Sequence, residues 1–372
     1  MVLKVLIVPD KFKGTLAAQP AAEAIARGWH AARPDDALEL LPMSDGGDGF
    51  GEVISRALGA EAQAIQTVNA AHRPCETAWW WHAGSRTAIV ESARVVGLAQ
   101  LPPGKFHPFE LDTRGLGAVL RAAAQKGAVR CLAGIGGSAT NDAGFGLARA
   151  LGWQFFNGHE EAISRWTELH SLCAVRPPDE ARLFEELVVA VDVQNPLIGP
   201  SGCTRVYGPQ KGLRPEDFDF AERCLGQLAN MLQRELHLDH AREPGAGAAG
   251  GLGFGLRSFA GARLEPGFGV FARLVGLEDR LRSAQLVLTG EGAIDEQTLM
   301  GKGVGELAGV CRAAGVPCIG LAGVVSNPEQ AAKLFTATHA LTPDFVPRER
   351  ALTETAACLE RLAERAAQNW RG

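Results

Sequence analysis

The chain reads as an α/β protein of about two domains. Short aliphatic or β-branched runs recur along it, helical patterns fill the intervals, and a glycine-rich or polar turn follows most runs. Its 372 residues include 45 glycines with no collagen-like period, so the glycines belong to loops. At roughly 100–200 residues per domain the length supports about two cores.

Taken in order, VLKVLIVP (2 to 9) opens the chain and reads as a buried strand, too short for a signal h-region. A helical pattern follows over 16 to 32, then a strand LELLPM over 38 to 43. TAIVESA (87 to 93) and VRCLAGIG (129 to 136) are strands flanking a helix over 116 to 127. A helix over 141 to 152 precedes the strand LVVAVDV (187 to 193), and a longer one covers 215 to 236. AQLVLTG (284 to 290) and VPCIGLAG (316 to 323) are the last two strands. Several of these runs are apolar throughout, as strands covered on both faces require. The final segment, 353 to 370, sets apolar residues at helical spacing against a charged face, the pattern of a docked terminal helix with a solvated outside. Trp79, Trp80 and Trp81 alternate across a strand, and a structural contact is favoured there over a stacking platform.

Composition removes several functions. A net charge of −5 gives no help to polyanion binding, so nucleic-acid and membrane-surface roles are demoted. With 46% hydrophobic and 21% charged residues the chain is too apolar for wholesale disorder. The eight cysteines show no C-x-x-C pair and no zinc spacing, and read as reduced core thiols. No apolar run approaches the roughly 20 residues that span a bilayer, and the expected location is cytoplasmic.

In open α/β sheets ligands bind beyond the carboxyl ends of strands, where helix N-termini point N–H groups at anions. The residues after each strand therefore carry the functional signal. PDKFKGTL supplies Asp10, Lys11 and Lys13, with Thr15 as a cap; alone it is a common turn. SDGGDGFGE places Asp45 and Asp48 among Gly46, Gly47 and Gly49, either as a tight turn or as carboxylates for a cation or hydroxyls. In GGSATNDAG, Gly136 and Gly137 permit a sharp turn, and Ser138 or Thr140 caps the next helix. Small side chains there let a phosphate or carboxylate approach the backbone, with Asn141 and Asp142 at the rim.

The run VVAVD ends in Asp192, an acid that burial disfavours unless it is paired or metal-bound. It reads equally as a general base or Mg²⁺ ligand and as a turn-capping residue before Asn195 and Pro196. Lys211, in GPQKG, is then placed to neutralise a transferred phosphate. PGAGAAGGLGFG (244 to 255) contains G-x-G-x-x-G, but no strand precedes it and no acid follows about 20 positions on. It serves a ligand cradle or close helix packing. TGEGAIDEQTLMGKG delivers Glu291, Asp295, Thr298 and Lys302, a density that a turn alone does not explain, yet without Walker A spacing. With no histidine pair and no G-x-S-x-G elbow, phosphoryl transfer fits this inventory best.

These motifs, in this order and over nearly the whole chain, closely resemble the glycerate kinase type 1 family, bacterial enzymes that phosphorylate D-glycerate with ATP. The resemblance implies a flavodoxin-like three-layer domain formed by both chain ends (1 to 62 and 284 to 372) and an inserted α/β domain of another type (63 to 283). It implies ATP and Mg²⁺ as cofactors, D-glycerate as acceptor, 2-phosphoglycerate as product, and a site in a cleft between the domains. No nucleic acid or membrane is expected, and a homodimer is left open. The residues assigned to chemistry are Asp192 as base or metal ligand, Asp295 with Glu291 as metal or phosphate-side acids, and Lys13, Lys211 and Lys302 as anion neutralisers.

The chain departs from the family pattern in places. Ser44, Asp48 and Phe50 stand in a loop that commonly reads ADGGEGT, and Leu116 and Ala118 stand where a threonine and a glutamate are frequent. Arg94 occupies a usually small position and serves either the substrate carboxylate or a surface pair. Rival readings are a kinase of another short hydroxy-acid, a non-catalytic nucleotide- or organic-acid-binding relative, and, weakest, a nicotinamide dehydrogenase.

Overall fold

The structure, a computed structural model, describes residues 2–179, 182–300 and 302–371; Gly301 of the last motif lies outside the described residues. The chain forms two compact units, one of 1–45 with 268–372, the other of 46–267. Both are α/β. The division falls earlier than the boundaries expected near 63 and 284. The reason at the first boundary is packing: the helix Phe50–Leu58 lies on the strands Pro74–His82 and Thr87–Glu91 of the middle unit. At the second, the helix Leu277–Ser283 packs on the strand Lys4–Ile7 of the terminal unit.

The terminal unit holds five parallel strands in the order Ala337–Ala340, Cys318–Val325, Leu286–Ile294, Lys4–Ile7, Ala37–Leu40. Numbered within the unit, that order is 2-1-3-4-5 read from the Ala37–Leu40 edge. The first and third strands lie side by side, in register Val5↔Leu286 to Ile7↔Leu288, so connections leave in opposite directions at this point. The helix Ala18–Ala32 packs on the terminal helix Thr355–Asn369, and Ile25, Trp29, Leu359 and Leu362 fill the core between them and the sheet. Thr15 does not cap the first helix; its hydroxyl donates to Phe12 O at 3.1 Å, and no side chain caps at Ala17.

The middle unit holds a mixed six-stranded sheet in the order Arg263–Pro266, Glu186–Val191, Arg130–Gly134, Thr87–Glu91, Pro74–His82, Glu61–Val68. The first four run parallel and the last two join antiparallel. The strand Glu61–Val68 was not among the expected strands, because polar residues are spaced along it and it has no apolar run. In the next strand Trp79 enters the core, Trp81 packs against it, and Trp80 faces the Phe50–Leu58 helix at Gly51, so the tryptophan run is structural. Helices that the sequence reading passed over, Cys203–Lys211 and Val304–Ala313 among them, lie in glycine-rich or short connections. The second of these is the crossover that two adjacent parallel strands require. Among the described residues no helix is long and apolar enough to cross a membrane.

Candidate functional site

In the terminal unit the acids gather where the first and third strands part, the position that ligands occupy in open parallel sheets. The backbone beyond Ile7 stays tied to its neighbour, with Val8 N donating to Leu288 O at 2.7 Å and Asp10 N to Gly290 O at 2.8 Å. This brings Asp10 beside Glu291. Asp10 is buried, and its carboxyl is pushed up to about 6, chiefly by burial and then by the charge of Asp45, against the opposing charge of Lys11. Lys11 also pairs with Asp45 at 3.4 Å. Glu291 is pushed further, to about 8; burial leads, and the charges of Asp10, Asp295 and Asp45 add to it. The Thr298 hydroxyl, itself buried, donates to Glu291 Oε1 at 2.7 Å and pulls the other way.

Asp295 has a second task, as N-cap of the short helix Glu296–Leu299: its Oδ1 accepts from Gln297 N at 2.9 Å and Thr298 N at 3.4 Å. Lys13 is exposed and Lys302 half-buried. Among the described residues no three His, Cys, Asp or Glu side chains are grouped as a protein-only metal cage. Mg²⁺ does not ask for one, since it commonly binds one or two carboxylates together with phosphate oxygens and water. Crowded carboxylates that hold their protons toward neutral pH suit such an ion, which relieves their mutual repulsion.

In the middle unit the loop after Gly134 is built differently from the expectation. Asn141 and Asp142 do not stand at a rim; both are wholly buried, as is Thr140. Asp142 Oδ2 accepts from Thr113 N at 2.9 Å, Thr113 Oγ1 at 2.8 Å and Gly146 N at 2.9 Å, and Oδ1 from Gly144 N at 3.3 Å. Neither Ser138 nor Thr140 caps the next helix, which runs over Phe145–Ala150 behind a left-handed Gly144. Those two hydroxyls bond each other at 2.9 Å, and Ser138 Oγ also accepts from Thr140 N at 3.1 Å. Several amides of the anticipated anion cradle are already engaged, Gly136 N on Gly46 O at 3.1 Å and Ala139 N on Val96 O at 2.8 Å.

Lys211 is buried beneath this loop, donating to Thr140 O at 2.6 Å. Burial pulls its ammonium down to about 8, against Cys203 and Asp142. The G-x-G-x-x-G segment explains why the lysine fits: at Gly250, whose φ is +71°, a Cβ would stand 1.9 Å from Thr140 O and 2.8 Å from Lys211 Nζ. Close packing, one of the two readings given for that segment, is present at Gly250. Asn195 braces its own loop, giving Nδ2 to Ser201 O at 2.8 Å and taking the Tyr207 hydroxyl at 2.6 Å. Asp192 lies just past the strand end at Val191, half-buried, with Oδ1 accepting from Gly267 N at 3.0 Å.

The Gly46–Gly49 loop crosses the ends of two strands. A Cβ at Gly46 would meet Ala190 O at 2.6 Å, and one at Gly136 would meet Gly47 Cα at 2.6 Å. Arg94 takes the second of its two readings: it pairs with Glu52 at 2.8 Å and lies over Trp80 at 5.0 Å from the ring centroid. Phe50 is fully buried against Gly134. Glu91 escaped the sequence reading. It ends the strand Thr87–Glu91 directly after Ala88, Ile89 and Val90, much as Asp192 follows the apolar end of Glu186–Val191, and that same signal would have found it.

The two sheets, one parallel and one mixed, make this an α/β protein, and its candidate residues stand on loops at the carboxyl ends of parallel strands, where open-sheet folds place ligands. Residues 5–371 match the model of the glycerate kinase family. The chain is 36% identical over 366 residues to the glycerate kinase of Bacillus subtilis, covering 97% of this chain and 96% of that one. It is 36% identical over 330 residues to the glycerate 2-kinase of Escherichia coli, covering 87% and 86%. A crystal structure from Salmonella typhimurium LT2, described as a candidate glycerate kinase 2, superposes with a TM-score of 0.84 at 32% identity, over 99% of this chain and 98% of that one. The chain belongs to the glycerate kinase family and is a phosphotransferase.

Proposed function

We propose that the protein transfers the γ-phosphoryl group of ATP to D-glycerate with Mg²⁺, yielding 2-phosphoglycerate, and that it acts in the cytoplasm. The observation that carries the phosphoryl-transfer half is the group of Asp10, Asp45 and Glu291 at the parting of two parallel strands, with two carboxyls raised toward neutrality by burial and mutual charge. The name of the Escherichia coli relative, glycerate 2-kinase, supports the position of transfer. The 2-1-3-4-5 order of the terminal unit supports reading it as a flavodoxin-like domain built from both chain ends, with the middle unit as the insert.

In this reading Asp295 and Glu291, with Asp10 behind them, would hold Mg²⁺, which supplies charge neutralisation at the phosphate oxygens. Asp192 takes the proton of the acceptor hydroxyl, its orientation fixed by the Gly267 amide. Lys13 and Lys302 meet the phosphates as cations. Lys211 acts from below, holding the Thr140 carbonyl so that Gly136, Gly137 and Ser138 keep one shape facing the substrate.

The deciding experiment measures Mg²⁺-dependent ADP formation with D-glycerate, L-glycerate, glycolate, lactate and tartronate as separate acceptors, with the product identified by NMR. Turnover with D-glycerate and a 2-phosphoester is expected. Turnover confined to another acid moves the assignment to a neighbouring hydroxy-acid kinase, and ATP binding without ADP formation for any acceptor overturns it.

A further inference from the structure

Glu91 closes the strand Thr87–Glu91 and is 6% exposed. Its carboxylate is shared between two amides: Oε1 accepts from Gly49 N and Oε2 from Gly51 N, each at 2.9 Å. Both lie at the start of the helix Phe50–Leu58, where N–H groups have no partner within the helix and the dipole favours an anion. Gly49, the N-cap residue, has no side chain with which to cap. The cap therefore comes from a different strand.

The body of that helix is held without it, by Phe50 against Gly134 and Gly51 against Trp80. What depends on Glu91 is the segment ahead. Gly46 and Gly47 rest on Ala190 and Gly136, and Asp48 Oδ1 is 2.0 Å from the point a Gly137 Cβ would occupy. A shift at Gly49 thus passes directly to the Gly136–Ser138 loop and to the strand end that carries Asp192. Burial raises the Glu91 carboxyl, and the two amides and Arg94 offset part of that; such a buried acid is retained where its geometry is needed.

We propose that Glu91 is a positioning residue for phosphoryl transfer, bracing the Gly46–Gly49 loop across the ends of two strands by a two-amide bridge. The proposal rests on the phosphotransfer reading above, so one arm of its test is independent of turnover. Glu91→Gln keeps one acceptor oxygen and turns an NH₂ group toward the other amide. Hydrogen exchange in the peptide 44–52 of the full chain is expected to speed up at least about tenfold, with the melting temperature within about 5 °C of wild type. The kcat is expected to fall at least about tenfold while KM for ATP and for glycerate moves less than about threefold. Glu91→Asp keeps the charge and shortens the reach; it is read the same way and carries the test if the glutamine variant does not fold. Unchanged exchange and kcat in a folded variant overturn the proposal. So does a fall in melting temperature with kcat intact, which would make Glu91 structural only.

Discussion

Asp142→Ala is expected to destabilise the protein by about 3–5 kcal/mol, the scale for stripping a partner from a buried charge-assisted network. The carboxylate is buried with no exposure and accepts four hydrogen bonds, two from Thr113 and one each from Gly144 and Gly146. Burial, joined by the charge of Asp112, lifts its carboxyl to about 6, and all four of its partners are donors, the set that the ionised form accepts. Alanine leaves three amides without acceptors inside the core, at the point where the chain turns into the helix Phe145–Ala150. Thr113 also loses the partner that orients its hydroxyl, whose oxygen accepts from Leu147 N at 2.9 Å. Urea unfolding measures the effect, with the midpoint expected to fall and the slope to stay constant. A loss under about 1 kcal/mol would mean that water or a relaxed backbone replaces the carboxylate, and that the loop is not held from below.

The fate of Asp142 shows where sequence reading stops. The strands were legible because apolar runs of 5 to 8 residues have few other uses in an α/β chain, and Lys4–Ile7, Thr87–Glu91 and Arg130–Gly134 fall inside the expected segments. The acids that follow strands were legible too, since Asp10, Asp192 and Glu291 interrupt or end apolar stretches. What a sequence does not display is the direction in which a polar residue points. Asn141 and Asp142 sit in a glycine-rich loop that resembles a ligand cradle, yet their partners, Thr204 and Thr113, are 63 and 29 residues away. Lys211 likewise reads as a phosphate lysine, and the sequence does not show that its buried ammonium donates to the Thr140 carbonyl, 71 residues distant. Glu186 and Glu91 bracket the same difficulty: both lie in strands of the same sheet, but Glu186, half-buried at the start of its strand, pairs with Arg130 and Glu91 turns inward to two glycine amides.

Glu291→Gln is expected to separate function from stability. The folded-state carboxyl is raised from 4.5 to about 8. Between those values the folded protein keeps a proton that the unfolded chain has released, so the contribution of this group to stability falls as pH rises through the window. Glutamine resembles the protonated acid and still offers Thr298 an acceptor oxygen, so the variant does not lose stability there. At about pH 5 the two proteins are expected to melt alike, and at about pH 8.5 the variant is expected to melt higher. Turnover goes the other way. If Glu291 is a metal-side acid, the amide has no proton to give up and no charged oxygen to offer the cation that neutralises the transferring group, and kcat falls at least about a hundredfold. A variant more stable at alkaline pH and nearly inactive is the signature of a site whose acids are held against their own preference. A variant equally active would remove Glu291 from the site, and one less stable at alkaline pH would mean that burial does not govern this carboxyl.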